Sequence, residues 1–448
     1  MPVVRPFRAI RYDADAVGDL SLVVSPPYDV ISPAEQAALL ARHPANVVRL
    51  DLPPEAGSDP DEKYREAART FARWRTEGVL RKDPRPSVYV YEQSYRVPGS
   101  DLERVQRGFF ARLRLEPFGP ASGVLPHERT LSGPKEDRYR LLRATGANFS
   151  PVVGLYSDPR GRAAEILARA IEGEPLADVT DSDGVRHRLW GVAATPPAEQ
   201  PDGAEAAPTD DPATELVEIA GAGPVTIADG HHRYETALRY RDERRMVRSC
   251  EEDPAFDYLL MLFLETTSQP LTVLPTHRVV RGLGEEGVER MLANVGELFD
   301  VQPADPATMS APFSVGAPGG QGHIGLVTRQ TAAVLTARRE AIEPLLPAGG
   351  DALRRLDVTL LGVALERLCG IDAAAIAGGG RVVYTKSATE AMRWVAEHID
   401  GADAAFLLEP TPVADIAAVA EQGDVMPQKS TYFYPKPVSG LVINPHEW

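Results

Sequence analysis

The stretch from Val225 to Ala237 constrains the fold of this chain more than any other. It reads Val-Thr-Ile-Ala-Asp-Gly-His-His-Arg-Tyr-Glu-Thr-Ala, which predicts an apolar strand, a glycine turn and the start of a helix that continues to about Val247. Such a turn directs the free N–H groups of the first helical turn, and the positive end of the helix dipole, to one point. We therefore predict an anion site there, with a phosphate as its ligand.

Each residue of this turn has a chemical reason to contact a phosphate. Gly230 lets the backbone approach an anion closely. The N–H groups of His231, His232 and Arg233 lie in the first helical turn and lack intrahelical partners. The Arg233 guanidinium can donate two hydrogen bonds to phosphate oxygens, and we expect it at the pocket surface. Arg233→Ala is therefore expected to abolish phosphate binding and to leave the fold intact.

Asp229 and the histidines add acid–base chemistry to the turn. A histidine beside the anion, such as His231, can act as an acid, a base or a hydrogen-bond donor. Asp229, at the end of the predicted strand, can position a Mg²⁺ ion or accept a proton from a substrate hydroxyl. The alternative is structural: Asp229 caps the helix, and the two histidines pack against their neighbours.

Two further clusters place a histidine beside charged residues. His127 and Glu128 follow a proline, and we expect them in a loop before a helix. His277 and Arg278 also follow a proline, just beyond an apolar segment. The histidines and Glu128 are candidate acids or bases, and Arg278 is a candidate phosphate contact.

The tail of the chain carries a cationic cluster. Two ammonium groups and two hydroxyls lie between aromatic residues there, on Lys429, Ser430, Thr431 and Lys436. The glycines of a Walker loop are missing, so this segment is not a P-loop. It is a candidate anion contact, in which Lys429 would neutralise developing charge, and the alternative is an ordered hairpin.

A transition-metal site is the rival interpretation of these side chains. Its ligands would come from His127, Glu128, Asp229, His231 and His277. No His-x-x-x-His pair places two imidazoles on one helical face, and adjacent residues of a helix point about 100° apart. The two cysteines, Cys250 and Cys369, also lack ligand spacing. The spacing therefore disfavours a zinc or iron site.

Length and the alternation of predicted elements indicate a mixed α/β (α+β) protein. At 448 residues the chain is too long for one ordinary core, and we predict segments at 1–120, 121–285 and 286–448. The predicted helices lie at 61–77, 135–145, 233–247, 353–368, 388–397 and 412–421, and the predicted strands at 21–31, 87–96, 104–115, 148–156, 258–264 and 404–408. The strand at 21–31 should run into a Pro-Pro turn that presents Tyr28 and Asp29, before a helix with a capping box at Ser32–Glu35. Forty prolines imply many ordered loops, and 194–214 and 302–322 are predicted breaks.

Charge and hydropathy exclude several classes of partner. A net charge of −16 argues against broad binding of nucleic acid or anionic membranes, because both need a basic face. The N-terminus lacks the apolar run of a signal peptide, and no segment approaches the length of a membrane span. These features predict a cytoplasmic location and a small-molecule substrate.

Five motifs together resemble a known family. They are Ser25-Pro-Pro-Tyr-Asp-Val30, His127-Glu128-x-Thr130, Ala228-Asp-Gly-His-His-Arg-Tyr-Glu235, Pro275-Thr-His-Arg278 and Met426-Pro-x-Lys-Ser-Thr-Tyr-Phe-Tyr-Pro-Lys436. In this order they resemble the bacterial and archaeal domain-of-unknown-function family 1015 over nearly the whole chain. That family name carries no activity.

A more local resemblance implies a fold and a chemistry. Asp229-Gly-His-His-Arg-Tyr-Glu-Thr-Ala237 is similar to the nucleotide-phosphate motif of the ParB/sulfiredoxin-like fold. The resemblance implies that residues 121–285 form such a domain, with Gly230, His232 and Arg233 as phosphate contacts. His231 stands where sulfiredoxins have their reactive cysteine, so sulfinic-acid repair is not expected.

The resemblance favours a kinase-like phosphotransferase. Its cofactor would be ATP or ADP, with Mg²⁺ as a second requirement, and its substrate a small hydroxylated metabolite such as free serine. Two alternatives stay open, a phosphatase or other hydrolase that uses no nucleotide and a non-catalytic nucleotide-binding regulator.

Overall fold

The structure is a computed structural model that describes residues 1–129, 133–195, 211–247, 252–314 and 322–448. It confirms the mixed α/β (α+β) fold class, since helices and several sheets share the chain. Thr130 and Cys250 lie outside the described residues, as do parts of the predicted breaks at 194–214 and 302–322.

The elements of the described residues are numbered along the chain. The strands are β1 Val4–Arg5, β2 Ile10–Tyr12, β3 Leu80–Lys82, β4 Ser87–Arg96, β5 Glu103–Arg114, β6 Val124–Pro126, β7 Ala147–Asn148, β8 Val152–Tyr156, β9 Ala177–Thr180, β10 Arg186–Ala193, β11 Val225–Asp229, β12 Tyr258–Glu265, β13 Thr272–Leu274, β14 His277–Arg281, β15 Phe299–Pro303, β16 His323–Thr328, β17 Ala332–Ala337, β18 Val382–Thr385, β19 Ala402–Leu407, β20 Tyr432–Tyr434 and β21 Asn444–Pro445. The helices are α1 Ala14–Val17, α2 Pro33–Arg42, α3 Val48–Asp51, α4 Glu62–Thr76, α5 Gly133–Thr145, α6 Arg162–Ala170, α7 Pro212–Gly221, α8 His231–Val247, α9 Gly284–Leu298, α10 Arg339–Ile342, α11 Asp351–Arg354, α12 Asp357–Cys369, α13 Ala373–Gly378, α14 Ala388–Ala396 and α15 Val413–Glu421.

A nine-stranded central sheet holds the Asp-Gly-His-His-Arg motif. Its order is β6-β11-β8-β12-β5-β4-β10-β9, and β1 also pairs with β5. β12 is buried along its whole length because both of its faces are covered, as its apolar sequence predicts. Leu260, Leu262 and Leu264 belong to the core on one face, and Leu259, Met261 and Phe263 to the core on the other.

Four helices cover one face of the central sheet. Leu142, Ile166, Leu216 and Ala237, one each from α5, α6, α7 and α8, share a buried cluster with Phe109 of β5. The opposite face packs towards the C-terminal part of the chain. The first part of α8, from His231 to Tyr240, is therefore packed against the core, and its first turn follows directly after β11.

A six-stranded sheet forms the C-terminal part, in the order β15-β17-β16-β19-β14-β18. α14 packs on one face, where Ala391 meets Ala405 of β19. α9 and α12 pack on the other face, and their cluster includes Phe406 of β19 together with Leu262 of the central sheet. The hydrophobic core is thus continuous from one sheet to the other.

The tail of the chain returns from the C-terminal sheet to the N-terminal part. Ser439 N–H donates to the Ser25 carbonyl at 2.8 Å, and Ile443 and Ile10 exchange two backbone hydrogen bonds of 3.0 Å. Arg112, only 1% exposed, donates to the Asn444 side chain at 2.6 Å. Residues 425–448 are therefore anchored across the molecule, and they pass the motif on the way.

Three predicted elements need correction. The predicted strand at 21–31 is wrong: Leu20–Leu22 and Tyr28–Val30 are 3-10 turns, and the carbonyls of Leu22 and Val24 accept from the Asn46 side chain. Two successive prolines remove the N–H donors that a ladder needs. The strand predicted at 148–156 begins only at Val152, and the helix predicted at 353–368 is divided between α11 and α12.

The capping box at Ser32–Glu35 is confirmed. Glu35 N–H donates to the Ser32 hydroxyl at 3.3 Å, and Ser32 N–H donates to the Glu35 carboxylate at 2.7 Å. The segment boundaries near 120 and 285 remain predictions, and the central sheet takes strands from both of the first two segments. None of the described helices is long and apolar enough to cross a membrane.

Gly154 sits where β8 meets the strand that carries the motif, and we expect Gly154→Ala to destabilise the protein. An added methyl group would lie 2.5 Å from Met261 Sδ and 2.8 Å from Val225 Cγ1, and the β-branched Val225 has little freedom to move. The expected loss is about 1–3 kcal/mol of unfolding free energy, measured by denaturant titration. Gly191→Ala is the matched control, because its methyl would meet only the flexible end of Leu176 at 3.0 Å. Equal losses in the two variants would contradict the prediction.

Candidate functional site

Two parallel strands bring the first two motifs together. β6 and β11 pair in parallel, with Val124 opposite Val225 and Pro126 opposite Ile227. Parallel strands end at the same edge of a sheet, which is the edge where ligands bind in open α/β sheets. The residues that follow each strand, His127 and Asp229, therefore meet there.

The turn after β11 has the geometry that the sequence predicts. Gly230 has a φ of +87°, a conformation that favours glycine, and Tyr234 N–H donates to the Gly230 carbonyl at 3.0 Å. α8 begins at His231, so the N–H groups of its first turn have no acceptor within the helix. His231 is buried, whereas His232 is half-buried.

Asp229 is a mostly buried carboxylate held by two cations. Lys436 Nζ lies 2.6 Å from Oδ1 and Arg233 Nη2 lies 2.7 Å from Oδ2. Burial by itself would raise the pKa of Asp229, but Lys436 and Arg233 outweigh it and hold that pKa well below its usual range. Asp229 is therefore ionised throughout the neutral range.

Arg233 lines a small cavity, but its side chain is turned inward rather than exposed. Its side chain is only 9% exposed, and its guanidinium folds back on Gly230 to donate to Asp229 and to the Pro151 carbonyl. Its Nε is buried and has no hydrogen-bond partner among the described residues. The short i,i+4 reach to Asp229 explains this inward position, and a role for Arg233 as a phosphate contact remains a prediction.

His127 and His231 form a buried pair. The His127 ring donates from Nδ1 to the Ile227 carbonyl, so its Nε2 is the acceptor for the Thr431 hydroxyl at 2.8 Å. The backbone N–H of His127 donates to His231 Nε2 at 3.3 Å. Burial lowers the pKa of His127 to about 4, and burial and the His127 charge lower that of His231 well below its usual value. Both rings are therefore neutral at pH 7 and act as oriented hydrogen-bonding groups.

Glu128 fastens the tail to the motif. Its carboxylate accepts from the backbone N–H of Lys429 at 2.6 Å and from that of Ser430 at 3.2 Å. Lys429 has a φ of +58°, an uncommon conformation for a residue with a side chain, and strain of this kind often accompanies function. The Met426 N–H donates to the His127 carbonyl at 2.8 Å. This segment therefore carries Lys429, Ser430 and Thr431 to the edge of the central sheet.

Burial raises the pKa of Glu128 to about 7, against the opposing hydrogen bonds from Lys429 and Ser430. Because this pKa is raised in the folded state, the native protein binds the Glu128 proton more tightly than the unfolded chain does. The free energy of unfolding that protonated Glu128 contributes is therefore lost as the pH rises from about 4.5 to about 7. We expect Glu128→Gln to gain stability relative to the wild type between pH 5 and pH 8, by on the order of 2 kcal/mol.

The measurement for this prediction is chemical denaturation of both proteins at several pH values. The comparison cancels the histidines, whose lowered pKa values give the opposite slope between about pH 4 and 6.5 in both proteins. Parallel stability curves for the two proteins would show that Glu128 does not titrate there.

Two lysines contact the Tyr432 ring, and the charge of a third, Lys429, acts on one of them. The chain has only six lysines, at positions 63, 82, 135, 386, 429 and 436. Lys386 Nζ lies 4.0 Å from the centre of the Tyr432 ring, and Lys436 Nζ lies 4.5 Å from it. Burial, and then the charges of Lys436 and Lys429, lower the pKa of Lys386. The sequence analysis missed Lys386, although the rarity of lysine in an arginine-rich chain was a signal that could have found it.

Tyr28 and Asp29 also belong to this region. The guanidinium carbon of Arg138 lies 3.9 Å from the centre of the Tyr28 ring, and that of Arg233 lies 5.9 Å from it. Asp29 is exposed, and its charge acts on Arg233 and on Lys386. The Pro-stiffened turn therefore places a tyrosine and an exposed carboxylate beside the motif.

His277 and Arg278 begin β14 of the C-terminal sheet, just beyond the apolar strand β13 and Pro275. Both are buried because a six-stranded sheet covers them. His277 Nδ1 accepts from Leu408 N–H at 3.2 Å, and burial lowers the pKa of His277 to about 3. Arg278 reaches the site only indirectly, by donating to the Lys429 carbonyl at 3.0 Å.

The family of the chain is shown by a direct comparison. The family model for proteins of unknown function called DUF1015 matches residues 4–359. The chain belongs to this family. The family resemblance is thereby confirmed over residues 4–359, which include four of the five sequence motifs, while the fifth, Met426–Lys436, lies beyond the match. No curated protein matches the chain.

Three solved structures have distant similarity to this DUF1015 protein. A free serine kinase in complex with AMP is 13% identical, with a TM-score of 0.36 over 75% of this chain and 91% of that chain. A conserved hypothetical protein from Pyrococcus furiosus is 13% identical, with a TM-score of 0.35 over 74% and 91%. SbnI with a C-terminal truncation, from Staphylococcus aureus, is 10% identical, with a TM-score of 0.35 over 73% and 87%. Likeness at this level carries no argument about the site.

Within the described part of this DUF1015 protein, no group of three or more His, Cys, Asp and Glu side chains is arranged to hold a metal ion. Among those residues the site instead combines an ionised carboxylate, two neutral imidazoles, a carboxyl group that titrates near neutrality and three ammonium groups. Such a set can bind an anion, orient it and exchange a proton with a neighbouring hydroxyl.

Proposed function

We propose that this protein is a phosphotransferase that uses a nucleotide to phosphorylate the hydroxyl group of a small metabolite. The observation that carries the proposal is the contact of Lys436 with Asp229, directly before the first turn of α8, in an acidic chain with only six lysines. Lys386 shares the Tyr432 ring with Lys436, and Lys429 lies on the tail segment that Glu128 holds. Cations and oriented N–H groups that face one point favour a ligand with several negative charges, and nucleotide phosphates are such a ligand.

Each part of the site has a role in this proposal. Lys386, Lys429 and Lys436, with the N–H groups after Gly230, hold the phosphates and stabilise the charge that develops during transfer. His127 and His231, neutral at pH 7, orient the tail and donate or accept hydrogen bonds without adding charge.

Glu128 and Asp229 supply the carboxylates. Glu128 has a pKa of about 7, the range in which a general base is most effective, and it can accept the proton of the attacking hydroxyl. Asp229 is ionised and can hold a Mg²⁺ ion together with the phosphates, because Mg²⁺ commonly takes one or two protein carboxylates. Mg²⁺ would compete with Lys436 for Asp229, which frees the Lys436 ammonium for a phosphate oxygen.

We further propose that residues 121–285 form a ParB/sulfiredoxin-like core, flanked by segments 1–120 and 286–448. The support is the strand, glycine turn and helix at Val225–Ala237, whose geometry matches the motif on which that resemblance rests. Free serine is the acceptor to test first, because kinases of that fold act on it. His232, half-buried in the first turn, is the proposed imidazole contact to the phosphates.

Ligand-induced thermal stabilisation is the first experiment. AMP, ADP, ATP and CTP are compared with and without Mg²⁺, since a ligand at 100 times its Kd stabilises by about 2.7 kcal/mol. Formation of phosphoserine, or of another phosphorylated hydroxyl compound, is then followed by mass spectrometry.

The outcomes separate this function from the alternatives. A nucleotide shift with transfer to serine or another hydroxyl supports the phosphotransferase. The absence of any nucleotide shift, together with turnover of a phosphomonoester, would replace it with a phosphatase. A nucleotide shift with no transfer across a metabolite panel would leave a nucleotide-binding regulator.

A further inference from the structure

A second cavity, separate from the lysine cluster, lies in the C-terminal part. It has a volume of about 480 Å³ and lies between α12, α13, β18 and the tail residues 425–428. This volume is within the range of small-molecule sites, about 300–1,000 Å³. Its walls are mainly aliphatic, including Leu353, Leu361, Leu365 and Ile376. A ligand that fills it must therefore be largely apolar.

Arg278 supplies the buried charge of this cavity, whereas the other charged side chains of its lining, Arg129 and Glu366, are exposed. It lines the cavity and is only 5% exposed, and its guanidinium donates to the carbonyls of Thr276 and Lys429 and lies 5.6 Å from the Tyr384 ring. No carboxylate of the described residues lies within ion-pair distance of it, and Glu128 acts on it only at longer range. Burial lowers the pKa of Arg278 to about 10, so the side chain is still charged at neutral pH. A buried cation without a counter-ion is unfavourable, and an anion beside it would remove that cost.

A second polar group on the wall is also incomplete. Thr359 is 3% exposed and lines the cavity, and its hydroxyl has no hydrogen-bond partner among the described residues. Buried hydroxyls almost always have a partner, so this one is available to an oxygen of a bound molecule. Arg129 is exposed and also lines the cavity, so it adds a second guanidinium. Its backbone N–H donates to the Met426 carbonyl, which ties it to the tail segment.

Gly362 shows that the space is open on the helix side. It lies in the middle of α12, where glycine weakens a helix, and a methyl group added to it would meet no atom within 4 Å. Gly362 lines the cavity, so its missing side chain adds to the available volume. The position therefore offers a way to fill the cavity without a clash.

We propose that this cavity binds an amphiphilic anion, an aliphatic chain that ends in a carboxylate. The chain would lie among the leucine and isoleucine side chains, and the carboxylate would pair with Arg278, with Arg129 at the rim. A carboxylate suits this position because the planar guanidinium recognises a planar anion. The site is distinct from the proposed nucleotide site, although the two share the segment that carries Lys429.

Titration calorimetry with decanoate and decan-1-ol tests the proposal on the full chain, at pH 7.5 and below the micellar range. We expect one decanoate per chain, and binding of decanol that is weaker by about tenfold or more, since a charged hydrogen bond is worth about that factor. Absence of decanoate binding, or equal affinity for the alcohol, would overturn the proposal.

Two variants locate the ligand. Gly362→Leu is expected to fill the cavity and to weaken decanoate binding by about tenfold or more. Gly296 lies in the last turn of α9, and a methyl group added there would also meet no atom within 4 Å, so Gly296→Leu should bind decanoate as the wild type does. Arg278→Met should lose the preference for decanoate over decanol. If Arg278→Met does not fold, the Gly362 and Gly296 variants still decide, and equal decanoate affinity in these two would refute the site. Nucleotide binding, measured on the same samples, reports separately on the proposed function.

Discussion

Lys436→Met is expected to weaken nucleotide binding by about tenfold or more and to lower kcat/KM for phosphoryl transfer by about 10²–10³. Lys436 is the ammonium group that contacts both Asp229, at 2.6 Å, and the Tyr432 ring, at 4.5 Å. These two contacts hold the Lys436 ammonium group beside the motif. Methionine keeps most of the apolar stem of the side chain and removes the ammonium group. Asp229 keeps its partner Arg233, so the variant should fold.

The measurements for Lys436→Met are thermal shift with ADP and ATP and the initial rate of transfer to serine. Lys82→Met is the matched control, because Lys82 is also an ion-paired lysine, 3.2 Å from Glu447, and its side chain is 17% exposed against 12% for Lys436. Lys82 lies in β3, on the strand pair formed with β2. If Lys436→Met binds nucleotide as the control does, the lysine cluster is not the phosphate site.

Arg233→Met is expected to destabilise the protein by on the order of 3 kcal/mol, because a buried charge network loses one partner. Asp229 would keep only Lys436, and the Pro151 carbonyl would lose its donor. This expectation replaces the one drawn from the sequence, in which Arg233→Ala left the fold intact. The loss is measured by denaturant unfolding at pH 7.

The pH dependence of the Arg233→Met loss provides an internal check. The lowered pKa of Asp229 stabilises the folded state above the unfolded carboxyl pKa of about 3.9, and this stabilisation is lost as the pH falls below it. The difference between variant and wild type should therefore shrink towards pH 3. Arg239→Met, on the exposed side of the same helix, should change stability by about 1 kcal/mol or less. A folded, fully stable Arg233→Met that has lost only nucleotide binding would instead restore the expectation from the sequence.

Local sequence patterns were sufficient for most elements near the site. The apolar run at 258–264, the amphipathic helix at 61–77 and the hairpin of β4 and β5 are all present. The first is a continuous apolar run that is buried on both faces, and the helix buries a periodic apolar face. The strand, glycine turn and helix of the motif also form as predicted, since Gly230 adopts the positive φ that the turn needs. The predicted strand at 21–31 was wrong because the Asn46 side chain, rather than a neighbouring strand, donates hydrogen bonds to the carbonyls of Leu22 and Val24.

The sequence by itself determined the mixed α/β class, the motif and its anion-friendly turn, because periodicity, glycine and capping act over a few neighbouring residues. Only the tertiary structure decided which charges meet. Parallel pairing of β6 and β11 brings His127 and Glu128 to Asp229, and the returning tail brings Lys429 and Lys436 across some 200 residues of chain. The position of Arg233, turned inward to Asp229 and Pro151, was equally invisible in the sequence. Contacts between residues so far apart depend on how the sheets and the tail pack, and no local pattern of residues encodes that packing.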